Sequence, residues 1–239
     1  MSDKIKIVIA TPLKDARTLN QPHPFFQKTA EQIAQIQDSP YEFYFATMEG
    51  GICHARNKMV QAAKKLGAQQ IVWWDYDIEA TVDDMMKLVT NKLPIVGALY
   101  TTREDRGHWV ANFMHEVELQ EGGMLQVIES GCGLKKYHME VFYILDKVYE
   151  GIAYTDRDTG ERLHGYFQQI VMQTDLKPDG DWITEDFFLD HLCRHSRTKG
   201  MGIFVDTTIK VKHRGPDGTL YPTGDWPPVP IDEKVTGIA

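Results

Sequence analysis

The sequence predicts an α/β protein built on a mostly parallel central sheet flanked by helices. Three observations carry this. Strand-like and helix-like runs alternate through the first hundred residues. The run Gln70–Trp74 (QIVWW) is apolar at most positions, as a strand covered on both faces should be. Apolar residues make up 42% of 239, enough for the core of one large domain.

The alternation begins with residues 4–10 (KIKIVIA), a buried first strand, followed by a loop. A helix is predicted over residues 24–36, where Phe26, Ala30, Ile33 and Ile36 recur at helical spacing. Residues 41–47 (YEFYFAT) form the second strand, and the turn Glu49-Gly50-Gly51 leads into a helix over Ile52–Leu66, closed by Gly67. After Gln70–Trp74 comes a helix over Val82–Thr90, opened by Thr81 with Asp84 three residues on, a capping-box spacing. A strand over 94–100 completes a β-α-β-α-β-α-β pattern, which implies a parallel sheet with right-handed crossovers.

The second half is less regular. Residues 109–119 and 124–129 read as strands about the turn Glu121-Gly122-Gly123. The glycine-punctuated Ser130-Gly131-Cys132-Gly133 precedes a helix over Met139–Val148. Asp158-Thr159-Gly160-Glu161 is a turn between two strand-like runs, and a helix over Glu185–His195 precedes strands over 202–205 and 208–213. The tail from Pro216 holds five prolines in residues 216–230 and should lie extended over the surface or act as a cover.

Composition excludes several classes. Lys plus Arg total 26 against 34 acids, a net charge of −8, which argues against non-specific nucleic-acid binding as the main task. No apolar run approaches the roughly 18 residues of a membrane span, and the first residues lack a signal-peptide pattern. Cys53, Cys132 and Cys193 form no CxxC pair, so neither a zinc site nor a disulfide framework is expected, and a cytoplasmic location fits.

Chemistry concentrates at Asp75-Tyr76-Asp77, immediately after an apolar strand. Ligands of open parallel sheets bind beyond the carboxyl ends of the strands. Two carboxylates two residues apart there can hold Mg²⁺ or Mn²⁺ on phosphate oxygens. Thr81 and Asp84 already start the next helix, which leaves Asp75 and Asp77 no structural task. Arg56 falls on the apolar stripe of Ile52, Met59, Ala63 and Leu66, where it either meets a nucleotide or snorkels past the core edge. Glu185 and Asp186 open a late helix, favoured there by the helix dipole or serving as a general base. His213 shares a strand face with Ile209 and Val211, as a core-edge histidine or a third metal ligand. Gly131 and Gly133 allow close approach to a ligand or make a plain turn. Tyr100 and Arg103 follow the fourth strand, where a cation could meet a diphosphate; Glu104, Asp105 and Arg106 make a solvated charged loop an equal reading.

In order and spacing, several stretches resemble the GT-A glycosyltransferases, near the family-2-like enzymes of bacteria and tailed phages. They are Ala55-Arg56-Asn57, residues 68–77 (AQQIVWWDYD), Gly97-Ala98-Leu99-Tyr100, residues 129–134 (ESGCGL), Thr184-Glu185-Asp186-Phe187-Phe188, residues 202–206 (GIFVD) and His213. The resemblance implies a GT-A, Rossmann-like fold over residues 1–215, with a smaller antiparallel region on the acceptor side. Residues 1–100 would bind the nucleotide sugar, 101–215 the acceptor, and 216–239 would be a proline-rich tail. It places Thr11 and Pro12 near the base, Arg56, Tyr76, Tyr100 and Arg103 on the donor, and Asp75 near ribose or metal. Asp77 and His213 would ligate Mn²⁺ or Mg²⁺. Gly131, Cys132 and Gly133 would approach sugar and acceptor. Asp186, with Glu185 beside it, matches the catalytic aspartate of inverting members; in a retaining enzyme it would contact the donor sugar and would not be a base. It implies a UDP-sugar donor in first place and a hydroxyl acceptor, with a hydroxymethylated DNA base or a surface glycan as candidates. Two competing readings are a sugar nucleotidyltransferase, whose glycine-rich basic signature Thr11-Pro12-Leu13-Lys14-Asp15 lacks, and a non-catalytic binding module.

Overall fold

The structure is a computed structural model that describes residues 4–13, 24–36, 39–103, 108–173, 180–215 and 218–222. Strand β1 (Ile5–Leu13) is buried over its last seven residues, and β3 (Gln70–Trp74) over all five, so both lie inside the sheet. β1 pairs in parallel with β2 (Tyr41–Glu49) on one side and β3 on the other. The connecting helices are α1 (Pro24–Ala34) and α2 (Ile52–Leu66). Gly67 closes α2 at φ 69°, its N–H reaching the carbonyls of Ala63 and Lys64, which is the left-handed cap a glycine adopts without steric cost. After the short β4 (Ile78–Glu79), α3 (Val82–Thr90) starts at the Thr81–Asp84 capping box, and β5 (Ile95–Ala98) follows.

In the second half, the single strand expected over 109–119 is split into β6 (Ala111–Phe113) and β7 (Leu119–Gln120), both paired antiparallel with β8 (Met124–Ser130). The β6–β8 register shifts between Asn112 and Phe113, within β6. Next come β9 (Leu134–His138), α4 (Met139–Val148) and the hairpin of β10 (Ala153–Thr155) and β11 (Arg162–His164) around the expected turn. A second hairpin, β12 (Ile170–Met172) and β13 (Asp181–Ile183), leads into α5 (Glu185–His195) and β14 (Ile203–Asp206). β15 (Lys212–Arg214) and β16 (Leu220–Pro222) pair with each other, and β15 also pairs with β4.

The main sheet has nine strands in the order β2-β1-β3-β9-β5-β14-β8-β6, with β7 also on β8. Seven run one way; β9 and β8 run the other. β9 is an element the sequence pattern did not show, and it stands between β3 and β5. One sheet face is covered by α2, α4 and α5, through residues such as Met59, Phe142 and Leu189; the other by α1 and α3, through Ile33, Met85 and Leu88. The predicted α/β architecture is therefore the one observed.

The three-stranded sheet of β16, β15 and β4 positions the site. It pairs His213 with Ile78, next to Asp77, and the Arg214 N–H donates to the Asp77 carbonyl at 2.8 Å. Arg214 also pairs with Glu79 across the same strands. Residues 220–222 of the proline-rich tail thus extend this sheet. The loop 14–23, Glu104, Asp105 and Arg106, and the tail from 223 onward lie outside the described residues. No described helix is long and apolar enough to cross a membrane.

Candidate metal and donor site

The turn after β3 is pinned by backbone. The Asp75 N–H donates to the Gly133 carbonyl at 2.8 Å, the Ile78 N–H to the Asp75 carbonyl at 3.0 Å, and Trp74 Nε1 to the Ile78 carbonyl at 2.9 Å. Thr81 and Asp84 cap α3 reciprocally, so neither Asp75 nor Asp77 serves that helix start. The two aspartates face different partners.

Asp77 is 8% exposed and meets Arg103 and His213. His213 Nε2 lies 3.8 Å from Asp77 Oδ2, and Arg103 Nε lies 2.8 Å from the same imidazole nitrogen. His213 Nδ1 is 2.8 Å from the Thr101 carbonyl, which can only accept, so Nδ1 carries the proton and Nε2 presents a lone pair. The Tyr100 ring meets the imidazole edge-on at 5.5 Å. Asp75, Tyr100, Arg103, Gly133 and His213 line one cleft of about 330 Å³.

Asp75 turns to Arg56, whose Nη2 lies 3.3 and 3.4 Å from its two oxygens. Arg56 is 2% exposed, seated between Trp73 and Phe167 with each ring centroid 5.5 Å from Cζ, and its Nη1 is 3.6 Å from Glu185 Oε1. Burial opposes its charge, yet Asp75 holds it firmly protonated. The Asp75 carboxyl is pushed up to about 6, first by desolvation and then by Asp77, Asp186 and Glu185, with Arg56 opposing. Arg56 therefore neither snorkels nor lies open to the cleft. It sits beneath the cleft and ties Asp75, in the first half, to Glu185, in the second.

The segment from Ser130 to Gly133 is shaped by protein contacts. A Cβ at Gly133 would stand 2.7 Å from the Tyr100 hydroxyl, which accepts from the Gly133 N–H at 2.9 Å. Cys132 is 1% exposed and its thiol is pushed up to about 12 by burial, so its side chain offers nothing to a ligand. Its backbone N–H donates to Asp186 Oδ2 at 3.2 Å. Asp186 Oδ1 accepts from the Thr184 hydroxyl at 2.6 Å and the Phe187 N–H at 3.0 Å. Glu185 also accepts from Gln169 Nε2 at 3.2 Å. Thr11 and Pro12 are buried, and the Thr11 hydroxyl donates to the Trp74 carbonyl at 2.8 Å, so it ties β1 to β3. Tyr76 is partly exposed between the two aspartates.

Two groups escaped the sequence reading. Lys135 and Asp190, both 0% exposed, pair at 2.5 Å, and Asp190 also accepts from the Ser130 N–H at 2.8 Å and the Tyr137 hydroxyl at 2.9 Å. An acid among the apolar residues of α5, one turn beyond Asp186, was the available signal. Glu129, 7% exposed, accepts from Asn112 Nδ2 at 2.6 Å, and its carboxyl is pushed up to about 7 by burial. Nothing in the local pattern marks it. A further cluster, His54, Asp156 and Asp158, brings ligand atoms within 4.8 Å of one another, but Lys58 Nζ already neutralises Asp156 at 2.8 Å.

No family model matches the sequence, and no curated protein matches it. Solved structures of similar shape include the A197 protein from STIV, at 10% identity and TM-score 0.48 over 92% of this chain and 95% of that one. A mutant Drosophila β1,4-galactosyltransferase 7, complexed with manganese, UDP-Gal and xylobiose, aligns at 13% identity and TM-score 0.47 over 91% and 70%. UDP-glucose pyrophosphorylase complexed with UDP-glucose aligns at 9% identity and TM-score 0.45 over 85% and 90%.

Proposed function

We propose that the chain is a metal-dependent glycosyltransferase that moves a sugar from a nucleoside-diphosphate sugar, UDP-linked in first place, to a hydroxyl acceptor. The observation that carries this is the convergence of Asp77 Oδ2 and His213 Nε2, 3.8 Å apart, at the carboxyl end of β3. A carboxylate oxygen and an imidazole lone pair fit Mn²⁺, and the position already attracts a cation, the Arg103 guanidinium. When bound there, the ion would neutralise charge developing on the departing diphosphate. Asp77 and His213 hold it, and Asp75 stands beside the nucleotide. Tyr100 and Gly133 form the cleft wall against which the donor lies. Asp186 takes the acceptor's proton. Arg56 and Gln169 fix Glu185 beside it. Residues 1–100 supply the donor side and 101–215 the acceptor side.

The test is a donor panel of UDP-, GDP-, CMP- and dTDP-sugars, with and without Mn²⁺, read by free nucleotide. Acceptors would include hydroxymethylated DNA and glycans. We expect Mn²⁺-dependent release from one donor, reduced at least a hundredfold in Asp77→Ala, since removing one of two ligands removes about 3 kcal/mol or more of charge stabilisation. Full activity of Asp77→Ala, or in excess EDTA, refutes the metal site.

A further inference from the structure

In the structure one guanidinium reaches both proposed metal ligands: Arg103 Nη2 donates to Asp77 Oδ2, and Arg103 Nε to His213 Nε2 at 2.8 Å. We propose that Arg103 is an exchangeable counter-ion, which holds the Asp77–His213 pair until a divalent cation displaces it and then turns its charge to the donor diphosphate in the same cleft. The proposal rests on the metal-site reading above.

The exchange follows from the lone pair. With Nδ1–H committed to the Thr101 carbonyl, His213 has a single free pair on Nε2. That pair can accept from Arg103 or ligate a metal, but not both. Asp77 Oδ2 accepts from the same guanidinium, so a cation placed between the two ligands meets Arg103 at both. The ligands themselves are fixed. His213 sits in β15, in register with Ile78, and the Arg214 N–H holds the Asp77 carbonyl. Their side chains are 12% and 10% exposed, while that of Arg103 is 40% exposed. Arg103 is therefore the group able to leave. It also lines the cleft with Asp75 and Tyr100, so once displaced it stays where a diphosphate on the metal would lie. Replacing one positive charge by two keeps Asp77 neutralised throughout and leaves Arg103 in need of an anion. Arginine suits this second partner, because its planar fork matches phosphate oxygens as well as carboxylate.

Metal and guanidinium then compete, while metal and nucleotide cooperate through Arg103, and that coupling must be reciprocal. Removing Arg103 should act with opposite sign on the two ligands. The experiment titrates Mn²⁺ into the full chain, wild type, Arg103→Met, Arg103→Gln and Asp77→Ala, following free Mn²⁺ by EPR with and without UDP; circular dichroism checks that each variant is folded. Both Arg103 variants should bind Mn²⁺ alone about tenfold more tightly than wild type, the loss of one charge-assisted competitor, and UDP at saturating Mn²⁺ about tenfold more weakly. Asp77→Ala should bind no Mn²⁺. If the Arg103 variants bind Mn²⁺ no better than wild type while Asp77→Ala abolishes binding, the exchange is wrong and the metal site stands. Tighter Mn²⁺ with unchanged UDP affinity removes the diphosphate as second partner. If Mn²⁺ binds equally to wild type and Asp77→Ala, the metal reading falls and the exchange with it.

Discussion

A Cβ built at Gly131 would fall 2.3 Å from the Tyr100 hydroxyl oxygen and 2.6 Å from Val110 Cγ1, closer than real Cβ atoms approach. Tyr100 is itself fixed, 5% exposed and bonded to the Gly133 N–H. Gly131→Ala must therefore push a buried ring or a valine aside, and overpacking of this kind costs about 1–3 kcal/mol. Tyr100→Phe removes one of the two obstacles but leaves the Gly133 N–H without its acceptor, at a cost of about 1–3 kcal/mol. In urea denaturation the double variant should be more stable than the sum of the single effects, by about 0.5 kcal/mol or more. Strict additivity would mean that the hydroxyl is not the obstacle. The sequence displays both glycines, but close approach and a plain turn were equal readings of them. The object approached was not, because Tyr100 lies thirty residues away and no local pattern names it. The same holds for Arg56. Its place on an apolar stripe marked it as needing a partner, but Asp75 and Glu185 arrive from other elements.

At the scale of elements, what depends on nearest neighbours was readable. The bounds of α2, α3, α4 and α5 are those expected, with Gly67 closing α2 and the Thr81–Asp84 box opening α3. β9 was not, because Lys135-Lys136 in its middle imitates a solvated segment. Both lysines are 0% exposed, on opposite faces of the strand. Lys135 finds Asp190 on α5. Among the described residues Lys136 finds only the Asn91 carbonyl, at 2.6 Å, and the His138 ring, at 3.4 Å, and burial pushes its ammonium down to about 8. The folded state thus holds this proton less tightly than the unfolded chain, whose lysine titrates near 10.5. Below pH 8 the cost of the buried charge is fully present. Between pH 8 and about 10.5 the unfolded chain binds more protons, so stability rises with pH. Lys136→Met removes the charge, and replacing a buried ion by an apolar residue of similar volume stabilises by about 1–3 kcal/mol at pH 7. The gap between variant and wild type should shrink as the pH rises through that window in urea titrations. A constant gap from pH 7 to 10 would show that Lys136 is not the titrating group.

For the whole molecule, the position of β9 decides how the halves depend on each other. The first hundred residues contain β1, β2, β3 and β5 with their helices, and their alternation reads as a self-sufficient parallel unit. In the structure β3 and β5 do not touch edge to edge: each pairs with β9, and the other neighbour of β5 is β14. A chain ending at residue 100 leaves β5 with no partner and exposes the edge of β3, whose five residues are all buried in the intact sheet. The proposed site is divided the same way, with Asp75 and Asp77 from one half and Asp186 and His213 from the other. We therefore expect residues 1–100 alone to give a poorly dispersed amide spectrum and no cooperative melt. The intact chain should unfold in one transition when fluorescence and far-ultraviolet dichroism are followed together. Extending the fragment to residue 148 supplies β9 and restores the run β2-β1-β3-β9-β5, yet leaves Lys135 buried without Asp190. That longer fragment should recover helical dichroism while melting well below the intact chain, and Lys135→Met within it should raise its midpoint by removing the unpaired charge. A well-dispersed spectrum from residues 1–100 would show that the first half closes its own sheet, and that β9 is an addition to the fold rather than the strand that joins it.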